Sequence, residues 1–222
     1  LMKRSEINKS IAEAKLLIAE YRWTLPRWAY WNVEQYKNHP DLSLYLRDHQ
    51  MGWDVTDFGR GNFSKEGIIL FCVRNGVQNI DNEKPYAEKL LFMKEDQVIP
   101  FHSHNIKLED IINRGGGNLV LEFVKVDSQK NPLQEKIKVM IDGEFKTLNP
   151  YEPLILERGQ SVTVERFVYH KFYAEKGTGM AMAGEVSQVN DDKKDNYFLE
   201  KVGRFADIEE DEDILHPLWN EI

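Results

Sequence analysis

Two histidines lie one residue apart in the segment Phe101–Val120, at His102 and His104. Residues i and i+2 of an extended strand point to the same side, so the two imidazoles face one way. Glu109 follows five residues after His104, and His170 lies in a later strand-like run, FVYHKFY. Three neutral imidazoles and one carboxylate form a good site for a divalent transition metal and leave coordination positions open. These ligand types leave Zn, Mn, Fe, Co and Ni all open.

Histidines at i and i+2 also occur on ordinary surfaces, so three further features carry the metal interpretation. Glu109 lies at loop distance from the pair, and the glycine cluster 115–117 suits a tight turn in a small barrel. His170 follows a second strand–turn unit that begins at the turn 158–159. The remaining histidines are predicted to be ordinary surface or packing residues: His39, His49 and His216.

The elements that must position these residues change character near residue 50. Residues 5–21 place apolar side chains at three- and four-residue steps, which predicts a helix with Ser5 as its N-cap. Residues 27–39 predict a second short helix, rich in aromatic residues and ended by Pro40. After residue 50, short β-rich runs such as GIILFCVRNG and GMAMAGEVS alternate with turn residues, which indicates a sandwich or barrel.

We therefore predict an all-β fold and a single domain over residues 1–222. Its parts are an N-terminal helical segment (1–48), a β-barrel (50–190) and a C-terminal acidic segment (191–222). Within the last segment, six of the seven residues from Asp207 to Asp213 are acidic, and this run is predicted to be solvated.

Composition excludes several classes of partner. The formal net charge of −8 disfavours a nucleic-acid binder, which needs a basic face, and disfavours adhesion to anionic membranes. No stretch approaches the roughly 18 uncharged apolar residues of a membrane helix. The N-terminus shows no secretory signal, and the lone Cys72 in an apolar run is typical of a buried thiol in a reducing compartment. The predicted location is the cytoplasm.

The segment HSHNIKLEDIINRG resembles the first cupin motif, and the run from Gly159 to His170 resembles the second. The second departs from the pattern, since Glu165-Arg166-Phe167 stands where cupins have Pro-x-Gly. The resemblance implies an antiparallel β-barrel, the double-stranded β-helix, with N-terminal helical additions. It also implies four metal ligands: His102, His104, Glu109 and His170.

A narrower resemblance covers nearly the whole chain. The segments KLEDIINRGGGNLVLE, GEVSQVNDDKKDNYFLE and GRFADIEEDE, with WDVTDFGRGNF and PYAEKLLF, resemble the D-lyxose isomerase family in the same order. That family likeness implies a Mn²⁺-type metal (with Co²⁺, Zn²⁺, Fe²⁺ or Ni²⁺ as alternatives), and usually a homodimer. It implies interconversion of the sugars D-lyxose and D-xylulose, with D-mannose and D-fructose as further substrates, through an enediol or enediolate intermediate.

Aldose–ketose interconversion needs a base for the proton beside the carbonyl and a partner for the charge on oxygen. Glu109 is the first candidate base because it lies closest to the metal ligands. Lys107 is placed to donate to the developing oxyanion. Glu185 is an acidic residue in the apolar run AMAGEVS, where an unpartnered carboxylate is costly to bury, so it is predicted to be either catalytic or salt-bridged.

Substrate binding is assigned to Lys107, Arg204 and Lys89. The family likeness favours a place for Arg204 in the cavity over pairing with the acidic tail. Asp195 is predicted to be a turn or cap residue. Two other functions use similar ligands and stay open at this level: a cupin oxygenase with iron, and a sugar-binding cupin without catalysis.

Overall fold

The computed structural model describes all 222 residues. Three α-helices and one 3-10 helix precede the main sheets: α1 Arg4–Glu20, the 3-10 helix Arg27–Tyr30, α2 Val33–Lys37 and α3 Pro40–Asp48. The strands are β1 Met2–Lys3, β2 Gly52–Thr56, β3 Ile68–Arg74, β4 Tyr86–Met93, β5 Val98–Ser103, β6 Glu109–Gly116, β7 Leu119–Val124, β8 Ile137–Ile141, β9 Glu144–Leu148, β10 Leu154–Leu156, β11 Ser161–Val164, β12 Tyr169–Ala174, β13 Ala181–Gln188, β14 Tyr197–Phe198 and β15 Ile208–Glu209.

Two predictions about the helices are wrong in detail. Ser5 is not the N-cap of α1, which begins one residue earlier without a side-chain cap; the Ser5 hydroxyl instead donates to Asp211. Pro40 does not end a helix but begins α3. Proline is tolerated in the first turn because the amide it lacks would have no partner there. In addition, residues 27–39 do not form one helix, because they are divided into the 3-10 helix and α2.

Two antiparallel sheets form the body of the protein. Eight strands make one sheet in the order β2-β3-β4-β13-β6-β11-β8-β9, and five make the other in the order β10-β7-β12-β5-β14. Apolar side chains from both sheets, such as Leu91 of β4 and Leu121 of β7, meet in one buried cluster. The predicted all-β architecture, an antiparallel barrel with helical additions at its N-terminus, is confirmed.

Strands β3, β4 and β13 are buried on both faces over residues 68–72, 89–93 and 181–185, which explains why these stretches are mostly apolar. Along β4, Leu90 and Phe92 face the helices, where they join a second cluster that includes Trp28. Alternate residues of a strand point to opposite faces, so Leu91 and Lys89 face the barrel interior. The side chain of Lys89 therefore lies among apolar side chains in the interior of the barrel.

The glycine cluster lies where the chain passes from the larger sheet to the smaller, between β6 and β7. Gly116 has a φ of 72°, and a Cβ at this position would come within 2.0 Å of the Met180 carbonyl oxygen. Only glycine fits this crossing.

The two chain ends are tied together. Strand β1 pairs with β15 in parallel, and the fully buried Arg4 binds the carboxylates of Glu210 and Glu221. Most of the acidic run is exposed, as predicted, yet Glu210 within it holds a buried cation. Cys72 is buried, and no helix is both long and apolar enough to cross a membrane.

Candidate metal centre and adjoining cavity

Three histidines converge inside the barrel because of strand pairing. His170 of β12 lies directly opposite His102 of β5, and His104 follows two residues after His102 on the same side. One ligand nitrogen from each ring lies within 4.8 Å of the other two. All three side chains are buried, and His170 is fully so.

Backbone carbonyls fix how each ring is oriented. The Nδ1 atom of His102 lies 2.8 Å from the Pro100 oxygen, that of His104 lies 2.5 Å from the Asp195 oxygen, and that of His170 lies 3.1 Å from the Val168 oxygen. A carbonyl oxygen only accepts, so each Nδ1 carries the proton and donates. In a neutral ring this arrangement leaves Nε2 with a free lone pair, the form in which imidazole binds a metal.

Glu109, the first residue of β6, adjoins this triad. Its Oε1 lies 3.0 Å from Nε2 of His170, and its Oε2 lies 3.6 Å from Nε2 of His104. The His170 Nε2 atom is buried without a hydrogen-bond partner. A lone pair facing a carboxylate oxygen at 3.0 Å is repulsive unless a cation or a proton lies between them. The donor set therefore fits a divalent metal ion.

Burial and nearby charges set the protonation states. Burial lowers the pKa of His102 well below its usual range and that of His104 to about 3, so both rings are neutral at pH 7. Burial opposes the ionisation of Glu109, but the Lys107 ammonium holds the pKa of this carboxyl well below its usual range. Burial likewise opposes the charge on Lys107, yet Glu109 and Glu185 raise its pKa. Lys107 is therefore an ammonium donor, not a base.

Lys107 links the metal centre to a second carboxylate. Its Nζ lies 2.8 Å from Glu109 Oε2 and 2.6 Å from Glu185 Oε1. Glu185 of β13 lies opposite Lys89 of β4, with 3.8 Å between Lys89 Nζ and Glu185 Oε1. Asn190 Oδ1 accepts from both ammonium groups, at 2.6 Å from Lys89 and 3.3 Å from Lys107. Glu185 is thus salt-bridged and also borders the cavity.

A second group of charges continues from Lys89. Asp192 forms ion pairs with two cations, at 3.4 Å from Lys89 Nζ to Oδ1 and 3.0 Å from Arg204 Nη2 to Oδ2. Arg204 Nη1 also lies 2.8 Å from Asp54 Oδ2. Arg204 lies against these two buried carboxylates and not against the acidic tail. Burial opposes the ionisation of Asp192, but Arg204 and Lys89 lower its pKa strongly. Burial raises the pKa of Asp54 despite the same arginine.

These groups surround one cavity. Its polar lining includes His102, His104, Glu109, Lys107, Glu185, Lys89, Asp192 and Arg204. Its apolar lining includes Phe58, Leu70, Leu91, Ile99, Phe172 and Phe198. Every residue proposed from sequence as a ligand, catalyst or substrate contact therefore lies around this cavity or directly beside it.

Other polar residues near the site were not singled out from sequence. Asp192 and Asn190 lie in the stretch NDDKKDN, where buried and exposed polar residues alternate irregularly. Asp54 lies in the short strand β2, and an acid between Trp53 and Val55 was the one available sequence indication of it. His39 is exposed, while His49 and His216 are buried against the carbonyls of Tyr45 and Trp31, outside this cavity.

An antiparallel barrel with a buried histidine–carboxylate centre beside a polar cavity defines a cupin-type protein. Solved structures share this fold: the L-ribose isomerase of Cellulomonas parahominis matches with a TM-score of 0.60 at 15% identity, over 94% of this chain and 98% of that one. The L-ribose isomerase of Acinetobacter sp. DL28 matches with a TM-score of 0.62 at 14% identity, over the same shares.

Sequence comparison defines the protein more narrowly. The family model described as D-lyxose isomerase matches residues 2–222. The D-lyxose/D-mannose isomerase of Escherichia coli O157:H7 is 40% identical over 99% of this chain and 98% of its own length. That of Serratia proteamaculans is 38% identical over 98% and 95%. The chain belongs to the D-lyxose isomerase family, as its sequence motifs predicted, and is an aldose–ketose sugar isomerase.

Proposed function

We propose that this protein interconverts D-lyxose and D-xylulose, and also D-mannose and D-fructose, through an enediolate. The observation that carries the proposal is the position of Lys107, whose ammonium group lies between Glu109 beside the histidines and Glu185 on the cavity wall. A proton acceptor and a proton donor are thereby held next to each other, as proton transfer between two sugar carbons requires. The names of the two curated relatives support the choice of sugars.

The proposed metal is Mn²⁺, with Co²⁺, Zn²⁺, Fe²⁺ and Ni²⁺ as alternatives that the same donor set accepts. Its ligands are His102, His104, His170 and Glu109. The bound ion supplies a Lewis acid for the negative charge that develops on the sugar oxygens.

The protein's own side chains carry the proton transfer. A carboxylate, Glu109 or Glu185, removes the proton from the carbon beside the carbonyl and returns it to the neighbouring carbon. Lys107 donates a hydrogen bond to the oxygen that becomes negative, and its two carboxylate neighbours keep it charged. The apolar walls exclude water, which strengthens these interactions.

Arg204, Lys89 and Lys107 are the proposed contacts for the sugar hydroxyls. Arg204 and Lys89 share Asp192, so both cations are held in place before the sugar arrives. Residues 1–222 are proposed to form one cupin domain, and the enzyme is proposed to act as a homodimer in the cytoplasm.

The test is a panel of all aldopentoses and aldohexoses, each incubated with the Mn²⁺-loaded protein without oxygen and analysed for ketose product. D-lyxose and D-mannose should give D-xylulose and D-fructose. A chelated sample is the control. An activity that requires oxygen would contradict the proposal, and so would no turnover of either sugar.

A further inference from the structure

The connection between β13 and β14, residues 189–196, passes directly behind the metal centre. Asp195 in this connection is almost fully buried, with 1% of its surface exposed, and it forms no ion pair. A buried carboxylate is costly unless other groups compensate for its charge. Its compensation comes from the loop between β5 and β6.

Three consecutive amides of that loop donate to the Asp195 carboxylate. The distances are 2.8 Å from the Asn105 nitrogen, 3.2 and 3.3 Å from that of Ile106, and 3.1 Å from that of Lys107. None of the three donates to a backbone carbonyl. The loop that carries Lys107 therefore has the Asp195 carboxylate as its shared acceptor, and its path depends on that charge.

The backbone of Asp195 has a second role. Its carbonyl oxygen accepts the Nδ1 proton of His104 at 2.5 Å, which leaves the Nε2 lone pair directed at the other two rings. One residue thus orients a histidine of the metal centre through its carbonyl and fixes the backbone of Lys107 through its carboxylate.

The connection is itself held firmly. The backbone N–H of Asn190 donates to Asn75 Oδ1 at 3.0 Å, and the backbone N–H of Asp192 donates to Gln50 Oε1 at 2.8 Å. Beyond Asp195, β14 pairs with β5, with Phe198 opposite His102. The chain is therefore held in place both before and after Asp195, so that its carboxylate can fix the position of the loop between β5 and β6.

We propose that Asp195 is a positioning residue that couples the metal centre to the Lys107 ammonium. It does not line the cavity and acts through His104 and the backbone of residues 105–107. The inference rests on the proposed function, since it assigns to that same site the element that aligns its two halves.

The test compares Asp195→Asn with the control Asp191→Asn. Asp191 is an acid of the same connection that accepts from the Lys193 amide and from Gln50, without a contact to residues 104–107. Asparagine keeps the shape of Asp195 but turns one acceptor oxygen into a donor that faces other donors. All measurements are made at 25 °C on samples shown by circular dichroism to be folded.

In the metal-free protein, Asp195→Asn should accelerate hydrogen exchange at the amides of residues 105–107 by at least about 10-fold. Its affinity for Mn²⁺, measured by calorimetry, should fall by roughly 10–100-fold, because the carboxylate that fixes the loop directly after His104 is lost, although the Asp195 carbonyl itself remains. At saturating Mn²⁺, kcat should fall more than KM changes, because Lys107 is displaced. Asp191→Asn should stay within about 2-fold of the parent on every measure.

The variant Asp195→Ser, which retains one short acceptor, should show the same changes and gives a second test if asparagine impairs folding. Parental amide exchange together with parental Mn²⁺ affinity in either folded variant would overturn the inference. Neither measurement depends on turnover. A parent that binds Mn²⁺ but isomerises no sugar would therefore remove the proposed function while the role of Asp195 is judged separately.

Discussion

The two ends of the cavity hold their side chains in different ways. At the histidine end, formed by His102, His104 and His170, each ring is held by a backbone carbonyl. At the ion-pair end, formed by Lys89, Asp192, Arg204 and Asp54, each charged group is held by opposite charges from other elements. The first arrangement depends on the backbone, whereas the second depends on every one of its side chains.

This difference predicts different responses to substitution. Removing a histidine takes away a proposed metal ligand but leaves no unpaired charge, so function should be lost while the fold survives. Removing an ion from the other end leaves a buried partner with an uncompensated charge, which costs stability as well. Lys107 and Glu185 lie between the two ends and should affect mainly catalysis.

The largest effect is expected from His170→Ala. This substitution removes a fully buried proposed ligand directly opposite His102, so Mn²⁺ affinity should fall by more than about 100-fold, beyond the usual loss for a group that only orients a ligand. Isomerase activity should be lost with it, while the circular dichroism spectrum stays that of the parent. Metal analysis and calorimetry check this result. His39→Ala at an exposed position is the control, and unchanged Mn²⁺ binding by His170→Ala would exclude it as a ligand.

Next in size are the carboxylate variants Glu109→Gln and Glu185→Gln. Whichever residue is the base should lose roughly 10²–10⁴-fold in kcat at saturating Mn²⁺. If the base is Glu109, Mn²⁺ affinity should weaken as well, because glutamine is a poorer ligand. If the base is Glu185, the Glu185→Gln variant should keep the parental affinity for Mn²⁺, and excess Mn²⁺ should restore the turnover of Glu109→Gln. Turnover and metal occupancy are measured together, and near-normal turnover in both variants would eliminate a carboxylate base.

At the ion-pair end, Arg204→Met should destabilise the protein by about 3–5 kcal/mol, because Asp54 and Asp192 are left buried without their shared cation. Urea unfolding measures this loss. The double variant Arg204→Met with Asp54→Asn should recover part of it. The control Arg60→Met breaks exposed ion pairs with Glu66 and Glu200 and should cost less than about 1 kcal/mol. Equal losses in the two arginine variants would show that burial does not distinguish these ion pairs.

The smallest effect is expected at the chain ends, where Arg4 resembles Arg204 but Glu210 is half-exposed. Glu210→Gln should cost less than about 1 kcal/mol, since Glu221 still binds Arg4. The Arg4 hydrogen bond lowers the pKa of Glu210, so its contribution is present above the unfolded-state pKa and is lost as the pH falls. The parent should therefore exceed Glu210→Gln in unfolding free energy at pH 7 but not in strong acid. A difference that persists in acid would contradict this origin.

The histidine end could be predicted from sequence because its spacing is local. His102 and His104 share a strand face, and Glu109 follows at loop distance, while the place of His170 in the ligand set was implied by the cupin motifs. The ion-pair end could not be predicted in the same way. Its partners come from β2, β4 and the irregular segment after β13, and a buried Asp192 has the same sequence surroundings as the exposed Lys193 beside it.

The same limit applies to the helices. Residues 5–21 gave a clear apolar periodicity, and α1 lies within one residue of the predicted bounds. Pro40 was misplaced because a proline at a helix start and a proline just beyond a helix end look alike without the neighbouring structure. The roles of carbonyl groups, such as that of Asp195 toward His104, have no sequence signature because every residue has a carbonyl.

The most direct test of the central claim is a titration of the chelated protein with Mn²⁺ during continuous measurement of D-xylulose formation from D-lyxose. Activity should start near zero, rise in proportion to the added Mn²⁺ and reach its plateau at about one ion per chain, the capacity of a single histidine–carboxylate centre. Full activity in a sample shown to be metal-free by elemental analysis would contradict it.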